Sequence, residues 1–364
     1  MRDPVLNLIP LRLREKTWLV FLIASIMNTL FSLLVGWGIS NFYLHKGMVF
    51  CSIYEWRQLV TDVIGSSIVA PAFWATFVWQ SEAIPRLFKY FLEENVVQER
   101  EEEIKEFLSQ YLYLPVNNKR NLYIVIGGVI LSLILFEIST PKDDPFLWGY
   151  PITWWQLNSV VYAIWLFNGA LLMYLVWWIA LRNIYFLRAL RLFYRRFKLQ
   201  PLILHPDGCN GLCEVGVYAI KITVILIIIG SWISFLIVFP FWAGKQGENT
   251  NNFGLDMVAM MASYLMMAPL SFWWPIWETH KAMAAAKKEK LQRVAAQIHQ
   301  VIYGKPVTHQ TQEEIKVLYD RYSFLEKNCR TWPVKTSLIG QFSFSMLLPL
   351  FSTLLSAWVE WYRS

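Results

Sequence analysis

Within nine residues the chain sets His205, Asp207, Cys209 and Cys213, threaded through Pro206, Gly208 and Gly211 in the stretch LILHPDGCNGLC. His205, Cys209 and Cys213 are four residues apart. On an unbroken helix they would share a face, and imidazole and thiolate are zinc ligands. Pro206 and Gly208 oppose such a helix, and the spacing lacks the CxxC knuckle of common zinc sites. The expectation is therefore no metal and no catalytic role. HPDG is a turn signal, with Pro second and Asp-Gly after it. Asp207 or Asn210 can cap the helix that follows, and Glu214 suits that helix's positive end.

The turn follows RNIYFLRALRLFYRRFK, residues 182–198, which holds six basic residues and no acidic one. Arg188, Arg191 and Arg195 recur on one face beside Arg196, interleaved with Phe186, Phe193, Tyr194 and Phe197. The plain reading is positive-inside topology with contact to anionic headgroups. The sharper expectation is a cytoplasmic site for an anionic ligand such as a nucleotide second messenger. Arg188, Arg191, Arg195, Arg196, His205 and Asp207 would form it beside a helix N-terminus, with aromatic rings stacking on a base.

These residues are carried by a membrane frame. Of 364 residues, 56% are hydrophobic and 16% charged, against about 25% charged in soluble domains. A span needs roughly 20 apolar residues. Charge-free runs of that order are Thr17 to Leu44, Val63 to Ser81, Pro145 to Leu181, Ile222 to Gly244, Met257 to Trp277 and Thr336 to Val359; Asn121 to Thr140 is broken only by Glu137. The fold class expected is all-α: a multi-pass α-helical integral membrane protein with about seven (six to seven) transmembrane helices and cytoplasmic helical extensions. Continuous apolar runs oppose a β-barrel. With Arg2, Arg12, Arg14 and Lys16 inside, the outer loops hold only Lys46, Arg57, Lys142 and Lys245, so the N-terminus is expected in the cytoplasm of an inner (plasma) membrane protein. The first span is expected to remain as a signal anchor. Cys209, Cys213 and Cys329 then face a reducing compartment, and no disulfide framework is implied.

The chain divides into transmembrane hairpins at 1–80, 121–181 and 216–278, each followed by a cytoplasmic segment at 81–120, 182–215 and 279–335, and a C-terminal apolar helix at 336–364. In NVVQEREEEIKEFLSQYLYL, Val97, Ile104, Phe107, Leu108 and Tyr111 share a helical face. Leu291, Val294, Ile298 and Val301 step by 3, 4 and 3, as do Ile315, Leu318, Tyr322 and Leu325 in order. Gly304 and Pro306 end the first of these two helices, and Thr311 with Glu314 reads as a capping box for the second. An antiparallel hairpin results, with its two helices packing on each other or serving as an oligomerisation surface. The final apolar stretch contains Gly340, Gln341 and Pro349. It is read as a full span, with a re-entrant helix as the alternative.

No nucleotide-phosphate loop, GxGxxG, HExxH or GxSxG occurs, which opposes ATP-driven transport and the common hydrolases. The spans hold almost no mid-membrane charge, which disfavours a proton-coupled carrier. A pore lined by neutral side chains and built from several copies needs none. Glu137, Asn158, Asn168 and Gln341 are the pore candidates, although Glu137 can also simply reach the interface or pair with Lys142. Met257, Met260, Met261, Met266 and Met267 fill the sixth span, where packing outweighs Cu(I) binding. Pro269 and Pro275 are expected to kink it.

LHPDGCNGL resembles the HPDGxGGL-type cytoplasmic loop of a group of uncharacterised prokaryotic polytopic membrane proteins, and RTWPVKTSLIGQFSFSMLLPL is similar to their tail. Asn210 stands where that loop usually has Gly. The resemblance implies membrane class and bacterial origin, with no activity attached. The expected function is an oligomeric membrane channel or pore-type effector gated from the cytoplasm. A secondary transporter or transporter subunit, and a non-catalytic scaffold for a soluble partner, are the alternatives. Expected partners are the lipid bilayer, further copies of the chain, and a cytoplasmic protein or anionic small molecule. No cofactor and no nucleic-acid duplex are expected.

Overall fold

The computed structural model describes residues 16–42, 65–97, 100–113, 118–139, 146–147, 150–151, 159–200, 202, 205–242, 255–304, 306, 308–334 and the single positions 340, 342, 344, 347 and 351. Its helices are α1 (Thr17–Phe42), α2 (Ala70–Glu93), α3 (Glu101–Leu108), α4 (Lys119–Ser139), α5 (Ser159–Arg196), α6 (Cys213–Trp242), α7 (Leu255–Gly304) and α8 (His309–Asn328). A π-turn, Gly65–Val69, leads into α2, and another, Ser109–Tyr113, extends α3. Strands β1 (Phe146–Leu147) and β2 (Tyr150–Pro151) pair antiparallel. The architecture is all-α apart from that small hairpin.

Among the described residues, two helical segments are long and apolar enough to cross a membrane, Leu166–Arg196 in α5 and Cys213–Trp232 in α6. Such segments must be helical, because a lipid environment offers backbone N–H and C=O groups no partner but each other. The β-branched run of α6 does not break the helix for the same reason. Gly230 brings α6 and α7 into close contact: a Cβ there would fall 2.4 Å from the Tyr264 ring.

The helices do not stop where the apolar runs stop. α2 continues to Glu93, α5 to Arg196 and α7 to Gly304, so divisions at 81, 182, 216 and 279 fall inside continuous helices. The polar ends of α2, α3, α5 and α6 enclose one core. Phe88, Phe91, Ile104, Phe107, Leu112, Phe186, Leu190, Phe193 and Leu212 are buried in it. Phe88, Phe91, Phe107 and Phe197 all meet the Phe193 ring at 4.8–5.8 Å, edge-on or tilted, as aromatic quadrupoles prefer. A second core, nearer the apolar ends, joins Val20, Val69, Phe73, Phe77, Val125, Leu175 and Trp178.

Two local readings also change. Val97 does not extend α3: it forms a bridge to Leu199, and α3 starts at Glu101 with Glu101, Glu102 and Glu103 on its positive end. Ile104, Phe107 and Leu108 do share the buried face. The second difference is the start of α8. Its cap is Thr308, extended at φ −116°, whose hydroxyl accepts from the Thr311 N–H while Thr311 answers to the Thr308 N–H. Thr311 thus stands inside the helix as the reciprocal partner, not as the cap, and Glu314 is not part of the box. Around that cap, α7 and α8 pack antiparallel, with Lys287 Nζ donating to the Glu326 carbonyl. Val294, Val301 and Leu325 are buried between them, and Leu291, Ile298, Ile315, Leu318 and Tyr322 are half-buried. Thr308→Ala should loosen α8 by about 1 kcal/mol. Amide exchange in its first two turns should speed by about fivefold, with α7 unchanged.

Pro269 and Pro275 lie within α7. The Thr279 hydroxyl donates to the Pro275 carbonyl at 2.8 Å, a back-bond that bends helices.

Candidate functional site

The HPDG turn sits where four chain segments meet. α2 closes with Asn95 left-handed at φ 52°. The Val96 N–H donates to the Phe91 carbonyl and the Asn95 N–H to Leu92, a Schellman end with Val96 on Phe91 as its apolar contact. Gln200 N–H then donates to the Val96 carbonyl at 2.8 Å, tying the end of α2 to the end of α5. The turn itself is closed by the Gly208 N–H on the His205 carbonyl at 3.0 Å.

Asp207 organises the rest. Its Oδ1 accepts from the N–H of Cys209 at 2.7 Å and of Gly211 at 3.1 Å, and its Oδ2 from the N–H of Cys213, the first residue of α6, at 3.2 Å. One carboxylate therefore shapes the turn and caps the helix. Burial alone would raise the Asp207 carboxyl, but these N–H groups and His205 outweigh it and hold it below the usual range. Gly211 is required twice over, by φ +85° and by Val96, whose Cγ2 would lie 2.6 Å from a Cβ. Asn210 is left-handed too, at φ 58°, a conformation that Gly and Asn both tolerate. Its Nδ2 donates to the Arg330 carbonyl at 2.6 Å and approaches Cys329 Sγ at 3.7 Å, which fastens the segment after α8 to the turn. Val334 and Pro333 complete that attachment by lying against Gly216, where a Cβ would come within 2.4 Å of both.

His205 joins the turn to α2. Its Nε2 is 2.9 Å from Glu94 Oε2 and its Nδ1 2.9 Å from Asp207 Oδ1, with the ring 7% exposed. Charged, it donates from both nitrogens. The hydrogen bond to Glu94 raises its pKa first, burial opposes, and Asp207 adds to the rise. A raised folded value means that the stabilisation is complete below the ordinary 6.5 and is lost as pH climbs through the raised value. Asp207 does not reverse this, because its contribution fades only in acid, below its ordinary 3.8. Between about pH 6 and about pH 8 the apparent Tm should fall, and His205→Gln should flatten that slope. An equal slope in the variant would place the titration elsewhere.

The structure brings His205 and Asp207 together but sets Arg188, Arg191, Arg195 and Arg196 on the exposed face of α5. Phe186, Phe193 and Phe197 are buried, and Tyr194 hydroxyl bonds Thr279 at 2.9 Å. The rings interleaved with the arginines thus belong to the core and do not stand ready for a base. Among the described residues no group of three His, Cys, Asp or Glu side chains is arranged to hold a metal ion. Of the pore candidates, Asn168 is exposed on α5. Glu137 lies in α4 with its side chain outside the described residues, as do Asn158 and Gln341 altogether. Met266 and Met267 point outward, 63% and 46% exposed.

A second polar site was not marked by sequence. Arg182 is fully buried. Its Nη1 donates to the Phe77 carbonyl at 2.8 Å, and its guanidinium lies 4.2 Å from the Phe77 ring centre and 5.6 Å from that of Trp178. Nearby, Gln80 Nε2 donates to the Tyr218 hydroxyl at 3.1 Å and to the Ile179 carbonyl at 3.3 Å. Tyr218 donates on to Asn183 Oδ1 at 3.3 Å, and Asn183 Nδ2 reaches Ser271 Oγ at 3.5 Å. The chain of bonds crosses α2, α6, α5 and α7. Its only mark in the sequence is that Gln80 and Arg182 close apolar runs, where polar residues ordinarily face water.

The fold and sites define a class: a helical protein with two membrane-competent segments among its described residues and a packed polar layer at one end. No protein-family model, curated protein or solved structure matches the chain.

Proposed function

We propose that the chain is a subunit of an oligomeric membrane channel, or pore-type effector, gated from its cytoplasmic side. On this reading it crosses the inner membrane about seven times, with the N-terminus in the cytoplasm. The observation that carries it is continuity. α2, α5 and α7 run unbroken from apolar segments into the polar layer, so a shift of that layer carries the membrane segments with it. Exposed apolar faces support the membrane setting: Leu22, Ile26, Met27 and Leu30 on α1, and Ile126, Ile130, Leu131 and Ile134 on α4. Asn168, exposed beside a 71% exposed Phe167, is a polar group on an apolar face that lipid would leave unsatisfied and a second copy would not.

The second reading is a secondary transporter. The buried Arg182–Gln80–Tyr218–Asn183 site favours it, because carriers place polar groups between helices. Copy number in lipid nanodiscs, followed by planar-bilayer recording, separates the two. Three or more copies with single-channel steps support the channel. A monomer without conductance overturns it and leaves the transporter and the non-catalytic scaffold.

A further inference from the structure

We propose that the seam where α4 meets α5 holds the headgroup of an anionic phospholipid, with Arg120 and Arg188 on its phosphate and its acyl chains along the apolar face above. The proposal rests on the membrane setting of the preceding reading and not on a pore. α4 and α5 run antiparallel, side by side. Gly128 lets them touch, since a Cβ there would fall 2.5 Å from the Trp177 ring, and Trp177 Nε1 donates to Ser132 Oγ at 3.2 Å. Toward the polar layer the Tyr185 hydroxyl donates to Asn121 Oδ1 at 3.0 Å. That bond sets the level at which α4 begins against α5. Arg120 comes just before Asn121, and Arg188 is the next residue but two after Tyr185. In antiparallel helices both steps run toward the polar layer. With a rise of about 1.5 Å per residue, the two arginines lie within a turn of each other along the axis.

Arg188 is also close to a whole number of turns, about three, beyond Trp177, so it stands on the strip of α5 that α4 covers higher up. Below the start of α4 that strip is open, and Arg188 is exposed. Arg120 is exposed too. It heads a strip of α4 that continues through Ile124, Leu131 and Ile134, 43–52% exposed. On α5, Ile184 is 60% exposed one turn above Arg188. Apolar surface thus gives way to arginine at one level on both helices, with the exposed ring of Tyr123 beside it, as at a membrane interface. Among the described residues no carboxylate pairs with either arginine. Asn118 Oδ1 already accepts from the Arg120 N–H at 3.0 Å, so an anion would meet the side chains and not the helix start. Guanidinium suits a phosphate diester, because its fork of N–H groups binds two oxygens at once. A soluble nucleotide would match only the charged half of this surface, since the phenylalanine rings of α5 are turned into the core. A diacyl lipid matches both halves, and the cytoplasmic leaflet is the one rich in anionic headgroups.

The test is native mass spectrometry of the full chain in detergent micelles, titrated with phosphatidylglycerol or with phosphatidylcholine of the same acyl chains. The first phosphatidylglycerol should bind roughly tenfold more tightly than the first phosphatidylcholine. Arg120→Gln and Arg188→Gln should each weaken phosphatidylglycerol by about fivefold and leave phosphatidylcholine unchanged. Arg195→Gln is the control. It removes the same charge about 10 Å further along α5, beyond the screening length of about 8 Å at about 0.15 M salt, and should leave both lipids almost unchanged. Equal binding of the two lipids by the unmodified chain overturns the proposal, whatever the variants do. An Arg195 effect as large as the others overturns it as well, because net charge alone would then explain the preference. Glycerol 3-phosphate in large excess should not displace phosphatidylglycerol. Displacement would make a soluble phosphate the occupant and overturn the lipid assignment. Flotation with phosphatidylcholine vesicles after an alkaline carbonate wash separates these failures from that of the membrane setting. A chain that floats but does not prefer phosphatidylglycerol keeps its membrane setting and loses the site; a chain that does not float loses both.

Discussion

Replacing Asp207 by Ala should lower stability by roughly 3–5 kcal/mol. Three N–H groups lose their acceptor at once: those of Cys209, Gly211 and Cys213. An ordinary N-cap accounts for about 1 kcal/mol of this. The remainder follows from burial, since a covered donor left without a partner costs roughly 1–3 kcal/mol and the Asp207 side chain is only 11% exposed. Asp207→Asn separates shape from charge. Its single amide oxygen can keep the Cys209 and Gly211 bonds, but it loses the bond to the α6 terminus and the attraction of charged His205. Asn should therefore fall between wild type and Ala. The readout is the apparent Tm in micelles by tryptophan fluorescence, supported by amide exchange at the start of α6. A loss under about 1 kcal/mol in the Ala variant would mean that water replaces the carboxylate freely and that the turn is not the organising element.

Much of the frame was legible because its signals are local. The alternation in Leu291–Val294–Ile298–Val301 and in Ile315–Leu318–Tyr322–Leu325 is a property of each helix alone, and the residues that step by three and four are those the hairpin covers. HPDG could be read as a capped turn because Asp207 reaches partners only two to six residues away. Two threonines three apart were harder. Thr308 and Thr311 both lie at a helix start, and only the extended backbone at Thr308 decides which one caps. Val97 fits the α3 stripe by spacing yet leaves it, because Leu199, just past the end of α5, offers a bridge. The site contacts with no sequence trace are of this second kind. His205 meets Glu94 across 111 positions and Arg182 meets Phe77 across 105, and no periodicity within one helix encodes a partner on another. The arginine stripe gave the opposite error. Its interleaved phenylalanines were real, but a helix that shows arginines to water must turn Phe186, Phe193 and Phe197 to the core.

Arg182 is the position where stability and function should part. A buried guanidinium costs several kcal/mol to desolvate, and the contacts that offset this include the Phe77 carbonyl and the faces of Phe77 and Trp178. Met has a comparable reach and no charge to desolvate. Arg182→Met should therefore fold, with stability unchanged or raised by about 1–4 kcal/mol, as replacement of buried ionic groups by apolar ones often does. Arg182→Ala leaves the space empty and should cost roughly 3–5 kcal/mol. Arg182→Lys keeps charge but not the planar stack on Phe77, and should also destabilise. An arginine whose removal stabilises the fold is held there for another reason, and in the proposed channel that reason is the open or closed state of the helices it joins. The Met variant should consequently retain copy number and Tm while its bilayer conductance changes by tenfold or more, about 1.4 kcal/mol in the gating equilibrium. If Arg182→Met instead unfolds the protein, the guanidinium is a structural tie between α2 and α5. If it folds and conducts as wild type does, the gate lies elsewhere along the continuous helices.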